Sequence, residues 1–169
     1  MSKLAFSYLR NDDSAFSQFD CGEPELNFFL QREAEHYVRT GLSAVKLLLD
    51  LDADRIVGFY AISPHSVKPG YLSDDQRQFY NVPFPIPAWL IGRLAVDLRY
   101  QRQRLGGALL HDAFSNIAGR ATNGAGALII VDAKDKQVKK FYKKYDFRTL
   151  CVSGGLKLFR RIQCDNPNG

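Results

Sequence analysis

The chain has 169 residues, 46% of them hydrophobic, and carries 23 Lys and Arg against 18 Asp and Glu, a formal net charge of +5. This length is enough for one domain with a sizeable core and short for two, so we expect a single domain over residues 1–169. The sequence lacks both the roughly 20 uninterrupted apolar residues of a membrane span and the apolar centre of a signal peptide, which predicts a cytoplasmic protein with no membrane partner.

The first half of the chain is predicted to contain a strand, a helix and a hairpin. Residues 4–9 are β-like, and residues 23–39 have the apolar spacing of an amphipathic helix. Residues 43–51 and 55–63 are two apolar runs around a polar turn, which predicts an antiparallel hairpin. The proline-rich segment 64–87 is expected to be irregular and to line a substrate cleft.

The second half is predicted to alternate strands and helices before a closing hairpin. The segments are a strand at 89–96, a helix at 105–120, a buried parallel strand at 127–133, a helix at 135–145, and hairpin strands at 147–152 and 156–162. A strand, a helix and a parallel strand in succession imply a right-handed crossover. The sequence therefore predicts an α/β fold with a mixed central sheet flanked by helices.

Residues 101–108, with the sequence Gln-Arg-Gln-Arg-Leu-Gly-Gly-Ala, form the turn between the predicted strand 89–96 and the predicted helix 105–120. Unpaired N–H groups and the positive end of the helix dipole at such a junction bind anions. Gly106 and Gly107 let a ligand approach the backbone. The dinucleotide pattern Gly-x-Gly-x-x-Gly is absent and no Gly-Lys-Ser/Thr follows, so the turn is predicted to hold the phosphates of another class of ligand.

The turn resembles the pyrophosphate loop of the Gcn5-related N-acetyltransferases (GNAT), Gln/Arg-x-x-Gly-x-Gly/Ala, which wraps the pyrophosphate of acetyl-coenzyme A (acetyl-CoA). Gln101, Leu105 and Gly106 match this scheme, and Arg104 replaces its first glycine. Arg104 keeps its N–H group, but a positive φ is costly for an arginine.

Further stretches resemble one branch of this family, the acetyltransferase toxins of bacterial toxin–antitoxin pairs. The specific stretch is Asp-Cys-Gly-x-x-x-Leu-Asn-x-Phe-Leu at residues 20–30, and the others are residues 91–97, 131–135 and 141–147. The resemblance implies a single GNAT acyl-CoA N-acyltransferase domain, a toxin that uses acetyl-CoA to acetylate the α-amino group of aminoacyl-tRNA and so blocks translation. It also implies a ribbon-helix-helix antitoxin as partner, and it leaves a possible homodimer open.

The resemblance also assigns a cofactor site. The free backbone groups of Leu94, Ala95 and Val96 would pair with the pantetheine arm and the acetyl carbonyl. Asp135 stands where many relatives touch the pantetheine arm, although a role as helix N-cap is equally open. Main-chain N–H groups of the loop would hold the pyrophosphate, and the residues concerned are Arg102, Gln103, Arg104, Leu105, Gly106, Gly107 and Ala108.

Tyr142 matches the tyrosine that, in the family, protonates the coenzyme A sulfur as it leaves. A phenol with a pKa of about 10 remains a proton donor at neutral pH, and the thiolate of a thiol with a pKa near 8.5 benefits from protonation. The alternative is an aromatic core residue on the inner face of a helix.

The acceptor is predicted from the absence of an evident general base, because His36, His65 and His111 have no triad-like or metal-like context. A terminal α-amine has a pKa of about 7.7–8.0 and is partly neutral near pH 7, which favours it over a lysine acceptor. Trp89 could line the acceptor channel or pack in the core. The basic residues that could contact tRNA, or simply face solvent, are Lys136, Lys140 and Lys144.

Cys21, Cys151 and Cys164 are odd in number and far apart, without a Cys-x-x-Cys pair, so neither a disulfide framework nor a zinc site is indicated and no metal is expected. Two alternatives to the toxin stay open. One is an acetyltransferase of a small amine, a drug or a protein N-terminus, and the other is a non-catalytic relative that binds coenzyme A or regulates a partner. Retention of Tyr142 argues against the second.

Overall fold

A computed structural model describes residues 2–9, 14–121 and 126–162 of the chain. Short 3₁₀ turns cover Ser14–Gln18, Pro69–Tyr71 and Leu98–Tyr100, and a π-helical turn covers Phe29–Glu33. The strands are β1 Leu4–Tyr8, β2 Ala44–Asp50, β3 Arg55–Val67, β4 Ile86–Val96, β5 Leu128–Asp132, β6 Arg148–Thr149 and β7 Lys157–Arg161. The α-helices are α1 Pro24–Phe28, α2 Ala34–Arg39, α3 Asp74–Tyr80, α4 Leu105–Arg120 and α5 Lys136–Lys143.

Within the described residues, the strands form one seven-stranded sheet in the order β1-β2-β3-β4-β5-β7-β6. β4 and β5 are parallel, whereas β1 with β2, β2 with β3, β5 with β7 and β6 with β7 are antiparallel. The predicted α/β class with a mixed sheet is therefore confirmed. No helix in this part of the chain is long and apolar enough to cross a membrane.

The chain divides into two compact units, and the first comprises residues 1–63 and 92–113. The predicted hairpin is present, with β2 and β3 paired from Ala44 opposite Ile62 to Asp50 opposite Arg55. The core of this unit includes Phe19 and Phe29, whose ring centroids lie 5.6 and 6.0 Å from that of Phe59. Burial of each such ring contributes about 1.5–3 kcal/mol.

The predicted helix 23–39 is confirmed as a continuous helical segment, with Pro24 in its first turn. The π-helical turn in its middle was not predicted. It contains Phe29 and Leu30, which are both buried, and the guanidinium of Arg93 lies 3.9 Å from the Phe29 ring centroid. The charged side chain of Arg93 therefore packs against the core through a cation–π contact with Phe29.

The second unit comprises residues 64–91 and 114–169. Its central pair is parallel, from Ala88 opposite Leu128 to Ile91 opposite Val131. The prediction of a buried parallel strand at 127–133 is confirmed, because Leu128 to Val131 are all buried. The predicted closing hairpin is also present as β6 and β7, although β6 has only two residues.

The prediction that residues 64–87 are irregular is wrong. The segment contains the end of β3, a 3₁₀ turn and α3. Asp74 and Asp75 in the first turn of α3 favour the positive end of the helix dipole, and Asn81 ends the helix in a left-handed conformation, with φ at 49°. These helix signals were present in the sequence but were outweighed by the prolines around them.

Candidate active site

The predicted anion-binding loop lies in the first unit and follows the end of β4 at Val96. Arg102 and Arg104 have φ angles of 63° and 61°, in the left-handed region. A non-glycine residue pays about 1–2 kcal/mol for this conformation. Arg104 therefore does adopt the costly positive φ, and the loop reaches this conformation without a glycine at that position. Backbone N–H groups in such turns form concavities that hold anions, and α4 begins immediately afterwards at Leu105.

The side chain of Gln101 fixes the start of this loop. Its Nε2 donates hydrogen bonds to the carbonyl oxygens of Val96 at 2.9 Å and Cys21 at 3.1 Å. The N–H of Leu98 donates to the carbonyl oxygen of Asp20 at 2.8 Å. The stretch that resembles the toxin branch is therefore bonded directly to the loop that resembles the whole family.

A buried carboxylate adds to this connection. Asp97 is 1% exposed and accepts hydrogen bonds from the N–H of Asp20 at 3.1 Å and from the Arg99 guanidinium at 2.8 Å. Burial acts to raise the pKa of Asp97, but the hydrogen bonds from the Arg99 side chain and the Asp20 and Arg99 backbone outweigh it, so the pKa is lowered. Asp97 is therefore charged at neutral pH and holds both segments.

The polar groups of residues 20–30 form a hydrogen-bond network of their own. Asp20 accepts hydrogen bonds from the N–H of Gly22 and from Asn27 Nδ2, both at 2.8 Å. Asn27 Oδ1 accepts from the Cys21 N–H at 2.9 Å and from its thiol at 3.1 Å. The resemblance identified this stretch but did not indicate its hydrogen bonds to residues 97–101. Residues 20–30 and 96–101 are called the clamp below.

The backbone proposed to face the acyl group, Leu94 to Val96, is the last part of β4. β5 ends at Asp132 after its pairing with Ala88 to Ile91, whereas β4 continues to Val96. On the neighbouring strand, a Cβ added to Gly58 would lie 2.7 Å from the carbonyl oxygen of Ala95 and 2.8 Å from Leu109 Cδ1. β3 and β4 therefore approach so closely at this point that only glycine fits.

Tyr142 lies in the second unit, on the inner face of α5. It is 6% exposed, and its ring contacts those of Phe141 and Phe147 at centroid distances of 5.3 and 5.5 Å. Burial, with a smaller effect of the Asp132 carboxylate, raises the pKa of Tyr142 to about 12. The hydroxyl is therefore protonated at neutral pH, as a proton donor requires. Its packing also agrees with the alternative of a core aromatic residue.

The other predicted residues of the second unit have defined places. Asp135 is the N-cap of α5 and accepts a hydrogen bond from the N–H of Val138 at 2.8 Å, so this alternative role is confirmed and a pantetheine contact stays a prediction. Trp89 is half-buried, and its ring would lie 2.8 Å from a Cβ added to Gly126. This close contact favours a packing role for Trp89 over a place in an open channel. The exposed side chains of α5 and its end include Lys136, Lys140 and Lys144.

The histidines and two of the three cysteines lie within the described residues. His36 and His111 are exposed, and burial lowers the pKa of the half-buried His65. Cys21 is a buried free thiol, Cys151 is an exposed one, and Cys164 lies outside the described residues. No group of three or more His, Cys, Asp or Glu residues that could hold a metal ion is present among the residues with described positions.

The fold and the loop define a class of enzyme. Residues 45–149 match the model of the acetyltransferase (GNAT) domain family. The chain belongs to this family and is an N-acetyltransferase.

Two relatives narrow the comparison to one branch. The chain is 33% identical over 138 residues to the tRNA-acetylating toxin of Mycobacterium tuberculosis (strain ATCC 25618 / H37Rv), covering 81% of this chain and 80% of that protein. It is 28% identical over 160 residues to the probable toxin TacT of Sinorhizobium fredii (strain NBRC 101917 / NGR234), covering 90% of this chain and 86% of the relative.

Solved structures of similar proteins agree with this branch. AtaT complexed with acetyl-methionyl-tRNAfMet is 25% identical, with a TM-score of 0.85 over 94% of this chain and 95% of that one. AtaTR bound with acetyl-CoA is also 25% identical, with a TM-score of 0.79 over 94% of each chain.

Proposed function

We propose that this protein is an acetyl-CoA-dependent toxin that acetylates the α-amino group of aminoacyl-tRNA and thereby blocks translation. The main support is the relationship to a tRNA-acetylating toxin that is 33% identical over most of both chains. The clamp adds support, because it bonds the stretch typical of the toxin branch to the anion-binding loop. Residues 1–169 are proposed to act as one acetyltransferase domain.

The loop geometry fits the pyrophosphate of acetyl-CoA. The left-handed backbone at Arg102 and Arg104 and the start of α4 at Leu105 offer N–H donors, and the arginine side chains add positive charge. The residues proposed to hold the cosubstrate are Arg102 to Ala108 at the pyrophosphate and Leu94, Ala95 and Val96 along the pantetheine arm. Bound acetyl-CoA supplies a thioester, which is an activated acyl group.

The proposed reaction needs one proton donor and no metal. The neutral α-amine attacks the thioester carbon, a C–N bond forms, and the N–H groups of Leu94 to Val96 stabilise the developing negative charge on the carbonyl oxygen. As the C–S bond breaks, Tyr142 gives its proton to the departing sulfur and regains one from the amine nitrogen through solvent. The pKa of about 12 keeps Tyr142 protonated until this step.

The proposed acceptor fits the charge of the molecule. An α-amine that is partly neutral near pH 7 removes the need for a strong base, and the exposed lysines of α5 and its end favour a polyanion such as tRNA. Such an acceptor implies action in the cytoplasm. An antitoxin of the ribbon-helix-helix type is the proposed partner, and the protein is proposed to form a homodimer.

The function is tested by incubating the purified protein with labelled acetyl-CoA and a panel of charged tRNAs. Transfer of the label to the aminoacyl end of at least one tRNA is expected, with none to deacylated tRNA. Small amines and peptides with free N-termini serve as competing acceptors. If they are acetylated and no charged tRNA is, the toxin assignment is wrong and the small-amine alternative replaces it.

A further inference from the structure

A cavity of about 310 Å³ lies in the second unit, whereas the loop proposed to hold acetyl-CoA belongs to the first. It is lined by Gln76 of α3, by Phe159, Arg160 and Arg161 of β7, and by Asp146 and Arg148 at the start of β6. Since one water occupies about 30 Å³ of the liquid, this volume admits a group of roughly ten water equivalents. A phosphate with part of its sugar fits such a space.

The lining is strongly basic. Three arginines face a single carboxylate, that of Asp146. Phe159 of β7 pairs with Arg148, the first residue of β6. β7 then extends beyond β6 through Arg160 and Arg161. The cavity therefore lies at the edge of the sheet, where backbone groups are open to ligands as well.

Two of the three arginines are held in place before any ligand arrives. Arg161 donates from Nη2 to the buried Gln76 at 3.1 Å, and its guanidinium lies 3.8 Å from the Phe79 ring centroid. Arg160 donates from Nη1 to the carbonyl oxygen of Tyr145 at 2.6 Å. Each guanidinium has five donors, so these bonds leave most of them for a ligand while lowering the entropy lost on binding.

The adjacent aromatic residue distinguishes a nucleic acid from an acidic peptide. The Phe79 side chain is 62% exposed although one guanidinium stacks on its ring. An exposed ring beside arginines is the combination that binds nucleotides, since a base stacks on the ring while the phosphate contacts the guanidinium. A peptide carboxylate would use the arginines and leave the exposed part of the Phe79 ring in contact with water.

We propose that the cavity lined by Arg148, Arg160 and Arg161 is a binding site for the sugar–phosphate backbone of tRNA. The inference rests on the proposed function and extends it, because it places a tRNA contact outside the lysines of α5. It predicts that binding is sensitive to salt, since each phosphate contact contributes about one unit to the slope of log affinity against log salt.

The test measures the affinity of deacylated tRNA by fluorescence anisotropy across a potassium chloride series. Arg148→Ala removes an exposed arginine, and Arg161→Lys keeps the charge but loses the planar fork. Each is expected to weaken tRNA binding about ten-fold, and Arg148→Ala to reduce the salt slope by about one. Asp146→Asn removes the only carboxylate of the lining and is expected to tighten binding; asparagine also tolerates the φ of 63° at this position.

The control is Arg32→Ala, which removes an exposed arginine in the first unit. It should leave the affinity for tRNA unchanged, and all variants should bind acetyl-CoA as the native protein does. If native protein acetylates charged tRNA but the cavity variants bind tRNA normally, this inference alone is overturned. If the cavity variants lose binding to a poly-glutamate peptide but bind tRNA normally, the inference is also overturned, and the cavity is assigned to an acidic protein partner. If the native protein neither binds nor acetylates tRNA, the proposed function fails as well.

Discussion

Gly58→Ala is expected to impair catalysis through one peptide group. The added Cβ would lie 2.7 Å from the Ala95 carbonyl oxygen, whereas ordinary contacts begin at 3.4 Å, so this oxygen must withdraw by about 0.7 Å. The Ala95 carbonyl and the Val96 N–H belong to one planar unit. A shift of the oxygen therefore tilts an N–H proposed to stabilise the developing oxyanion.

The size of the effect follows from this displacement. Misplacement of a reacting group by about 1 Å can lower the rate 100-fold, so we expect kcat/KM to fall by about 10- to 100-fold. Overpacking against the fully buried Leu109 should also lower the free energy of unfolding by about 1–3 kcal/mol. Steady-state acetyl transfer to charged tRNA and urea denaturation measure the two quantities.

Gly119→Ala is the matched control, because nothing lies within 4 Å of the Cβ that it adds to α4. This variant should keep its activity and gain about 0.5–1 kcal/mol of stability, since alanine favours a helix over glycine. The reasoning on the shared peptide plane is refuted if Gly58→Ala lowers stability as expected but retains kcat/KM within two-fold of the control.

Further predictions concern the loop, the proton donor and the lysines. Gly106→Asp should weaken acetyl-CoA binding in calorimetric titration by bringing a negative charge to the pyrophosphate site, and unchanged affinity in a folded variant would remove the loop from the mechanism. Tyr142→Phe should keep cofactor affinity and lose turnover by about 10²- to 10⁴-fold; native turnover would assign Tyr142 to the core. The pKa of Tyr142 is raised to about 12 in the folded protein, so the unfolded chain loses this proton first and the native protein should lose about 2 kcal/mol of stability as the pH rises from 10 to 12; Tyr142→Phe should lack this part of the alkaline loss in denaturation at both pH values. Replacing Lys136, Lys140 and Lys144 together by glutamate should weaken the acetylation of charged tRNA and flatten its salt dependence, while acetyl-CoA binding stays unchanged. Normal acetylation of charged tRNA by this variant at physiological salt would show that these lysines only face solvent.

The elements that the sequence predicted well are those with strong local signals. The helix 105–120 was predicted with the bounds that the structure has, because glycines mark its start and apolar periodicity continues to its end. The helix α3 was missed because prolines on both sides suggested loop structure. The π-helical turn at Phe29–Glu33 leaves no signature that differs from an α-helical pattern.

The turn at residues 101–108 was predictable, because the signals for it lie close together in the sequence. The bonds between the loop and residues 20–30 were not, since Gln101 and Cys21 are 80 residues apart and only the folded chain brings them together. The left-handed conformation of Arg104 was not predicted, because an arginine ordinarily avoids a positive φ.

The two left-handed arginines of the loop make the binding site dependent on the folded unit around it. A conformation that is unfavourable for its own residues exists only while its surroundings impose it. Binding at the loop and folding of the first unit are therefore thermodynamically linked. A ligand at 100 times its Kd adds about 2.7 kcal/mol to the stability of the folded form. For a protein that uses acetyl-CoA, the supply of this metabolite then sets not only how fast the enzyme works but also how long each molecule resists proteolysis.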